Sequence, residues 1–201
     1  MTELKAIFTE EFVELLIKIS KEGIENAARG FSGMLGQEFR VTNSAVKLVK
    51  LLDITKMLGG PEDETVAIYL KTEGSIAGQM MLVLPFEKAM VLVDMIMGQP
   101  IGTTESLGSM EKSALQELGN ITGTYFLNYV SDNTGNSVRP TPPAVMVGMC
   151  AAILDIVIAT AGLENEEVLM IDADFKHGEL STEIQFWVIP DPNTILAYGA
   201  K

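Results

Sequence analysis

The feature that most constrains the fold of this chain is a β-hairpin pattern that occurs twice, about half a chain apart. The first hairpin pattern turns near Gly74 and ends in Leu-Pro, and the second turns near Gly178 and ends in Ile-Pro. The two glycines are 104 residues apart, and the final prolines, Pro85 and Pro190, are 105 apart. Self-similarity at a fixed period indicates repeated units, so the sequence predicts an internal duplication.

Helical patterns surround the hairpins in the same order in both halves. The predicted helices cover residues 9–36, 44–58, 86–98, 109–131 and 145–161, with a short helix in the C-terminal tail. Two such units can pair their hairpins into one antiparallel sheet and cover one face of it with their two long helices. We therefore predict an α+β fold with pseudo-twofold repeats. Residues 1–201 form a single domain, with repeat one at about 9–98 and repeat two at about 107–199.

Charge restricts the kinds of partner that this chain can bind. It has 14 Lys and Arg against 27 Asp and Glu, a formal net charge of −13. A nucleic-acid backbone or an anionic membrane surface would repel such a protein. We therefore expect no nucleic-acid partner and no membrane insertion, and a soluble partner is expected.

The sequence contains no recognisable signal for export from the cytoplasm. The N-terminus has no basic segment leading into an apolar one, so it does not resemble a signal peptide. The apolar stretch at 145–163 contains Asp155 and lacks basic flanks, which predicts a buried helix and not a membrane span. The single cysteine, Cys150, is expected to be a buried thiol. We expect a cytoplasmic protein.

Metal and nucleophile chemistry have little support in the sequence. His177 is the only histidine and lies in a predicted turn, and there is no cysteine cluster. Zinc sites and Ser-His-Asp or Cys-His enzymes need such residues, and no Gly-rich phosphate loop is present. We therefore expect no metal site and no cofactor belonging to this chain.

A polar stripe follows the predicted helix at 109–131. Its members recur at spacings of four and three, and they are Ser113, Glu117, Asn120 and Thr124. The predicted core face carries Ala114, Leu115, Leu118, Ile121, Tyr125, Phe126 and Tyr129. Gly119 and Gly123 weaken a helix by about 1 kcal/mol each, so something must compensate, such as the close approach of a neighbouring helix. Spacing alone leaves both a solvated face and a functional face open.

The spaced motif resembles a known family. Ser113, Glu117, Asn120 and, after 22 further residues, Pro143 match the signature of the CheC/CheX/FliY phosphatases of bacterial and archaeal chemotaxis. The segments EKSALQELGNITGTYFLNYVSD and PTPPAVMVGMCAAILD are similar to the CheC branch. The resemblance covers roughly residues 10–195, which includes the duplicated order of elements.

The resemblance implies a function and a site. Such proteins hydrolyse the aspartyl phosphate of the response regulator CheY by positioning a water molecule in line with the bond that breaks. Glu117 and Asn120 would be the catalytic residues, and Ser113 and Pro143 would support the motif. Phosphorylated CheY is the implied partner and supplies its own Mg²⁺, and the deamidase CheD is a further candidate partner.

The family carries up to two such sites, and only one is intact here. Subtracting 99 from the four motif positions gives the first-repeat positions Glu14, Lys18, Lys21 and Ser44. Lysines thus replace the acid and the amide, so Lys18 and Lys21 mark a degenerate first site. A slipped register offers Glu22 with Glu25 or Asn26, but neither pair restores the Glu-xx-Asn spacing.

A non-catalytic role is the alternative hypothesis. The chain could be an adaptor that binds CheY or CheD in the chemotaxis or flagellar switch system. The degenerate first site favours this alternative, because half of the scaffold would then stand without catalysis. The intact second motif argues against it.

Overall fold

The computed structural model describes residues 9–57, 59–161, 167–177, 180–182 and 184–191. The helices within these ranges are α1 (Glu10–Lys18), α2 (Ile24–Leu35), α3 (Leu51–Met57), α4 (Phe86–Ile96), α5 (Ser109–Thr134) and α6 (Cys150–Ala161), with a π-helical turn (Ile19–Gly23) between α1 and α2. The strands are β1 (Arg40–Lys50), β2 (Glu64–Gly74), β3 (Gly78–Pro85), β4 (Val138–Pro140), β5 (Ala144–Met149), β6 (Glu167–His177), β7 (Leu180–Thr182) and β8 (Gln185–Pro190).

The described strands pair antiparallel in two hydrogen-bonded groups. In the five-stranded group, β2 pairs with β3 on one side and with β4 and β5 on the other, and β8 pairs with the outer edge of β3. The other group has the order β1, β6, β7. The predicted α+β class and antiparallel pairing are confirmed, although the strands divide between two groups where the sequence predicts one sheet.

Helices cover both faces of the five-stranded group. Side chains of a strand alternate between the two faces. Ile68 of β2 therefore packs in the cluster beneath α2, α4 and α5, whereas Ala67 packs in the cluster beneath α3 and α6. The two long helical segments lie on the same face, as the sequence predicts.

Two segments that the sequence predicts to be helical begin as strands. Residues 44–50 belong to β1, and only Leu51–Met57 is helical. Residues 145–149 belong to β5, and the helix starts at Cys150. In each case pairing with a distant strand makes the segment a strand and not a helix, because β-structure depends on cross-strand partners more than on local propensity. In the described part of the chain, no helix combines the length and apolar character needed to cross a bilayer.

The helical segment from α1 to the end of α2 matches α5 in length. Its first and last residues lie 99 positions before those of α5. Each segment ends at a left-handed glycine, Gly36 with φ 62° and Gly135 with φ 70°. The side-chain amide of Asn26 donates to the carbonyl oxygen of Tyr125, its counterpart 99 positions later, at 2.6 Å. These positions are consistent with the offset of 99, and the duplication itself stays a prediction.

The second predicted hairpin is described only in part. His177, the last residue of β6, pairs with Leu180 of β7, and Gly178 lies outside the described residues. β8 pairs with β3. The predicted tail helix and the end of repeat two also lie outside the described residues.

A buried carboxylate fixes the connection that leads into α5. Asp94 of α4 is fully buried. It accepts backbone hydrogen bonds from Gly102 at 2.7 Å, Thr103 at 3.1 Å and Thr104 at 2.8 Å. Burial works to raise the pKa of this carboxyl, but the hydrogen bonds from Thr104, Gly102 and Thr103 favour the charged form and leave the pKa below its ordinary value. The ionised carboxylate thus holds the loop before α5 in place.

We expect Asp94→Asn to lower the free energy of unfolding by about 2 kcal/mol at neutral pH, because an amide leaves buried N–H donors unpaired. The folded-state pKa is lowered, so this contribution is complete above the unfolded pKa of about 4 and is lost as the pH falls through the lower folded value. Urea unfolding from about pH 7 to pH 3 would measure it.

The control is Asp155→Asn, which removes an exposed carboxylate on α6. This variant should change the free energy of unfolding by less than about 0.5 kcal/mol at neutral pH. As the pH falls, the free energy of unfolding should decrease more steeply for the wild type than for Asp94→Asn. An equal pH dependence in the wild type and Asp94→Asn would contradict the role of Asp94.

Candidate functional site

The polar stripe on α5 is accessible. Ser113, Glu117 and Asn120 are exposed, and Thr124 is half-buried. A spacing of three puts Glu117 and Asn120 on one face of the helix. Among the described residues, neither of these two side chains has a hydrogen-bond or ion-pair partner. An acid and an amide are therefore both available to another molecule.

The opposite face of α5 forms core, but the prediction holds only in part: Leu115, Leu118 and Phe126 are buried, whereas Ala114, Ile121 and Tyr129 are half-buried. The buried residues are Leu115, Leu118, Gly119, Thr122, Gly123, Phe126, Leu127 and Val130. The rings of Phe126 and Phe186 lie 4.9 Å apart between centroids. The prediction that Tyr125 is core was wrong, since it is 43% exposed. Its ring covers Gly30 of α2, where a Cβ atom would lie 2.6 Å from it, so it sits at the margin of the helix pair.

Close packing of α5 on β2 fixes the position of the site. A Cβ atom at Gly119 would lie 2.4 Å from Cγ2 of Ile68 and 3.5 Å from Cβ of Pro143. Real Cβ atoms do not approach other atoms to 2.4 Å, so the backbone of α5 can lie this close only because residue 119 is glycine. Asn120 follows directly and projects about 100° around the helix, beside this contact.

The segment before β5 is attached to both α5 and β2. The side-chain amide of Gln116 donates to the carbonyl oxygen of Pro143 at 3.1 Å. The backbone N–H of Thr141 donates to the carbonyl oxygen of Lys71 at 2.9 Å, and the N–H of Lys71 donates to Oγ1 of Thr141 at 3.0 Å. Pro143 is thereby held against α5. Gln116 is not among the residues predicted from the sequence, and its only signal there is its place beside the stripe, four residues before Asn120.

The first-repeat positions do not form an acid–amide pair. Lys18 donates from Nζ to Oδ1 of Asn133 on α5 at 2.7 Å. The π-helical turn begins immediately after Lys18 and contains Lys21, which is exposed. The wider π-turn alters the helical spacing that keeps Glu117 and Asn120 on one face. Glu14 is exposed on α1, and Ser44 is half-buried in β1.

Glu22 and Asn26, two residues of the slipped first-repeat register, both form hydrogen bonds with residues of α5. The Tyr129 hydroxyl donates to the carboxylate of Glu22. Burial and the contact with Glu22 raise the pKa of Tyr129 to about 12, so this phenol remains a donor at neutral pH. Asn26 donates to the carbonyl oxygen of Tyr125 at 2.6 Å and accepts from Arg29 at 2.8 Å. Glu22 and Asn26 therefore stabilise helix packing.

Within the part of the chain that the structure describes, no three His, Cys, Asp or Glu side chains group in a way that could hold a metal ion. The prediction of a buried Cys150 thiol is confirmed. Burial raises the pKa of this thiol, so it is protonated at neutral pH.

Comparisons with known proteins agree with the motif. A sequence model of the CheC-like family matches residues 110–147, which include Glu117, Asn120 and Pro143. The CheY-P phosphatase CheC of Bacillus subtilis (strain 168) is 25% identical over 186 residues, which cover 90% of this chain and 89% of that relative. The resemblance to the CheC/CheX/FliY family is confirmed.

Solved structures of the CheC/CheX/FliY family share the fold. The crystal structure of Thermotoga maritima FliY has a TM-score of 0.74 at 20% identity and covers 94% of each chain. A chain of the CheX–CheY–BeF3–Mg complex from Borrelia burgdorferi has a TM-score of 0.53 at 17% identity, covering 84% of this chain and 94% of its own. At these identities the likeness establishes the fold alone, so the site is argued from the residues of this chain.

We expect Gly119→Ala to lower the free energy of unfolding although alanine is the better helix former. The new methyl group would lie 2.4 Å from Cγ2 of Ile68, so the helix or the sheet must shift. Overpacking of this kind costs about 1–3 kcal/mol, against a propensity gain of about 1 kcal/mol. Urea unfolding would measure the difference.

Gly33→Ala on α2 is the matched control, because a Cβ atom there would meet nothing within 4 Å. This variant should leave stability unchanged or raise it by up to about 1 kcal/mol. If both alanine variants were equally stabilising, the contact between α5 and β2 would not be as tight as described.

Proposed function

We propose that this chain hydrolyses the aspartyl phosphate of the response regulator CheY, with Glu117 and Asn120 as its catalytic residues. The observation that carries the proposal is the exposed acid–amide pair on α5, which has no internal partner among the described residues. The name of the Bacillus subtilis relative, a CheY-P phosphatase, supports it. The CheX–CheY complex among the structural neighbours supports CheY as the partner.

Asn120 is assigned to the attacking water. A carboxamide offers an N–H donor and a carbonyl acceptor, so it can hold a water molecule by both. The water oxygen attacks phosphorus, and the bond from phosphorus to the aspartate oxygen breaks. The products are inorganic phosphate and the free carboxylate of the regulator. Phosphoryl transfer depends on alignment and charge neutralisation, so a positioned amide can accelerate it without acting as a base.

Glu117 is assigned to docking within the phosphorylated pocket. The family resemblance implies a lysine at the regulator's active site, and a carboxylate forms a strong charge-assisted hydrogen bond with such a group. Glu117 lies one helical turn before Asn120, so this ion pair would set how deeply α5 enters the pocket. The depth in turn places the amide at the water.

The remaining motif residues support this arrangement. Pro143 packs beside Gly119 and is held by Gln116, so it maintains the position of α5 relative to β5. Ser113 lies exposed one turn before Glu117. Mg²⁺ is assigned to the regulator, consistent with the presence of CheY in the neighbouring complex with BeF3 and magnesium.

Only one site is proposed to be catalytic. At the first-repeat positions, Lys18 is bonded to Asn133 and Lys21 carries a second positive charge. Neither side chain can accept a hydrogen bond from a water molecule, because an ammonium group is a donor only. The alternative is a non-catalytic adaptor for CheY or CheD. Measurement of phosphate release distinguishes this adaptor from a phosphatase.

We expect Asn120→Ala to slow phosphate release from phosphorylated CheY by about 100-fold, by analogy with the loss of one positioned hydrogen-bond donor elsewhere. The assay holds CheY at steady-state phosphorylation with a small phosphodonor and follows inorganic phosphate. Glu117→Gln should lower release as well, because the amide cannot form the ion pair with the regulator's lysine.

Lys21→Ala is the control, since it changes an exposed residue of the degenerate site, and its rate should equal that of the wild type. A wild-type protein that released phosphate no faster than CheY alone would refute catalysis. Binding of phosphorylated CheY without faster release would favour the adaptor.

A further inference from the structure

Among the side chains whose exposure the structure describes, the two most exposed large apolar ones belong to elements that meet at the proposed site. Met110, at the start of α5, is 67% exposed, and Met149, at the end of β5, is 55% exposed. Val147 is 36% exposed and shares a sheet face with Met149, because strand side chains alternate. These three residues, Met110, Val147 and Met149, are called the apolar margin below.

The contact of α5 with β2 shows how the two elements are aligned. Gly119 packs on Ile68, and Gly123 packs on Leu70. Four helical residues advance about 6 Å, and two strand residues advance about 6.6 Å. The axes of α5 and β2 therefore run nearly parallel.

This alignment places Met110 and Met149 at the same height along the common direction of α5 and β2. Met110 lies nine helical residues before Gly119, and Glu64 lies four strand residues before Ile68, which is about 13 Å in each case. Met149 is the ladder partner of Glu64. The bond from Gln116 to the residue before β5 puts that strand on the side of α5 next to the polar stripe.

We propose that the apolar margin docks the receiver domain of the same phosphorylated regulator and sets the affinity of the reaction, not its chemical rate. This inference rests on the proposed function. Met110 lies seven residues before Glu117, about 10 Å along the helix. A stable protein interface buries about 800 Å² on each partner, a patch of about 16 Å radius. A regulator that receives Glu117 and Asn120 therefore also covers Met110.

The chemistry of the margin fits this occupant. The centre of a protein interface is apolar and enriched in methionine, whose flexible side chain adapts to a partner's surface. Apolar contact also adds attraction that does not depend on the net charge of −13. Ile156 is 51% exposed as well, but it lies on α6, over the opposite face of the sheet from Glu117 and Asn120.

The test compares Met110→Gln/Met149→Gln with Ile156→Gln, because these changes remove apolar surface and leave charge unaltered. Calorimetric titration of the full chain with Mg²⁺- and beryllofluoride-loaded CheY gives Kd, and phosphate release against CheY concentration gives KM and kcat. We expect the double variant to raise Kd and KM by about tenfold, as loss of an interface anchor does, and to leave kcat within twofold. Ile156→Gln should match the wild type in all three.

The outcomes separate docking from catalysis. If the wild type binds loaded CheY without accelerating release, and the double variant weakens that binding, the catalytic proposal fails and the docking surface stands. Unchanged Kd in a double variant with wild-type Tm would overturn the docking surface, as would a wild type that does not bind. A wild-type dimer that the double variant converts to a monomer would assign the margin to a second copy and overturn the proposal.

Discussion

The contact between Gly119 of α5 and Ile68 of β2 is the constraint on which the rest of this structure depends. With no side chain at residue 119, the helix backbone approaches the sheet closely enough that a Cβ atom would lie 2.4 Å from Ile68. Pro143 packs at the same place, and its carbonyl oxygen is bonded to Gln116. The acid and the amide are therefore carried by a helix that is fixed to two strands, which is the rigid support that a positioned water needs.

The helical segment from α1 to α2 and the helix α5 have the same length but present different side chains. In α5, Glu117 and Asn120 face outward without internal partners among the described residues. In the first half, Lys18 bonds to Asn133 of α5 and a π-helical turn follows it. The first segment thus contributes to packing through Lys18, whereas α5 leaves its acid and amide exposed.

The elements of this chain that follow from local sequence pattern could be predicted, and those that depend on distant partners could not. The α5 helix and its exposed stripe rest on periodicity within one segment, and both are observed. The strand at 40–50 rests on pairing with β6, more than a hundred residues later, which no local pattern reports. The exposure of Tyr125 depends on how two helices cross at Gly30, and the role of Gln116 depends on where Pro143 folds back. Neither arrangement can be inferred from spacing alone.

The central claim is that α5 enters the phosphorylated pocket of CheY and that Asn120 holds a water in line with the bond that breaks. A crystal structure of this chain bound to CheY carrying Mg²⁺ and beryllofluoride tests it most directly. We expect a water within hydrogen-bond distance of the Asn120 carboxamide, opposite the aspartate oxygen, with Glu117 paired to a lysine of CheY. A complex in which CheY occupies another face and leaves Asn120 in bulk solvent would contradict it.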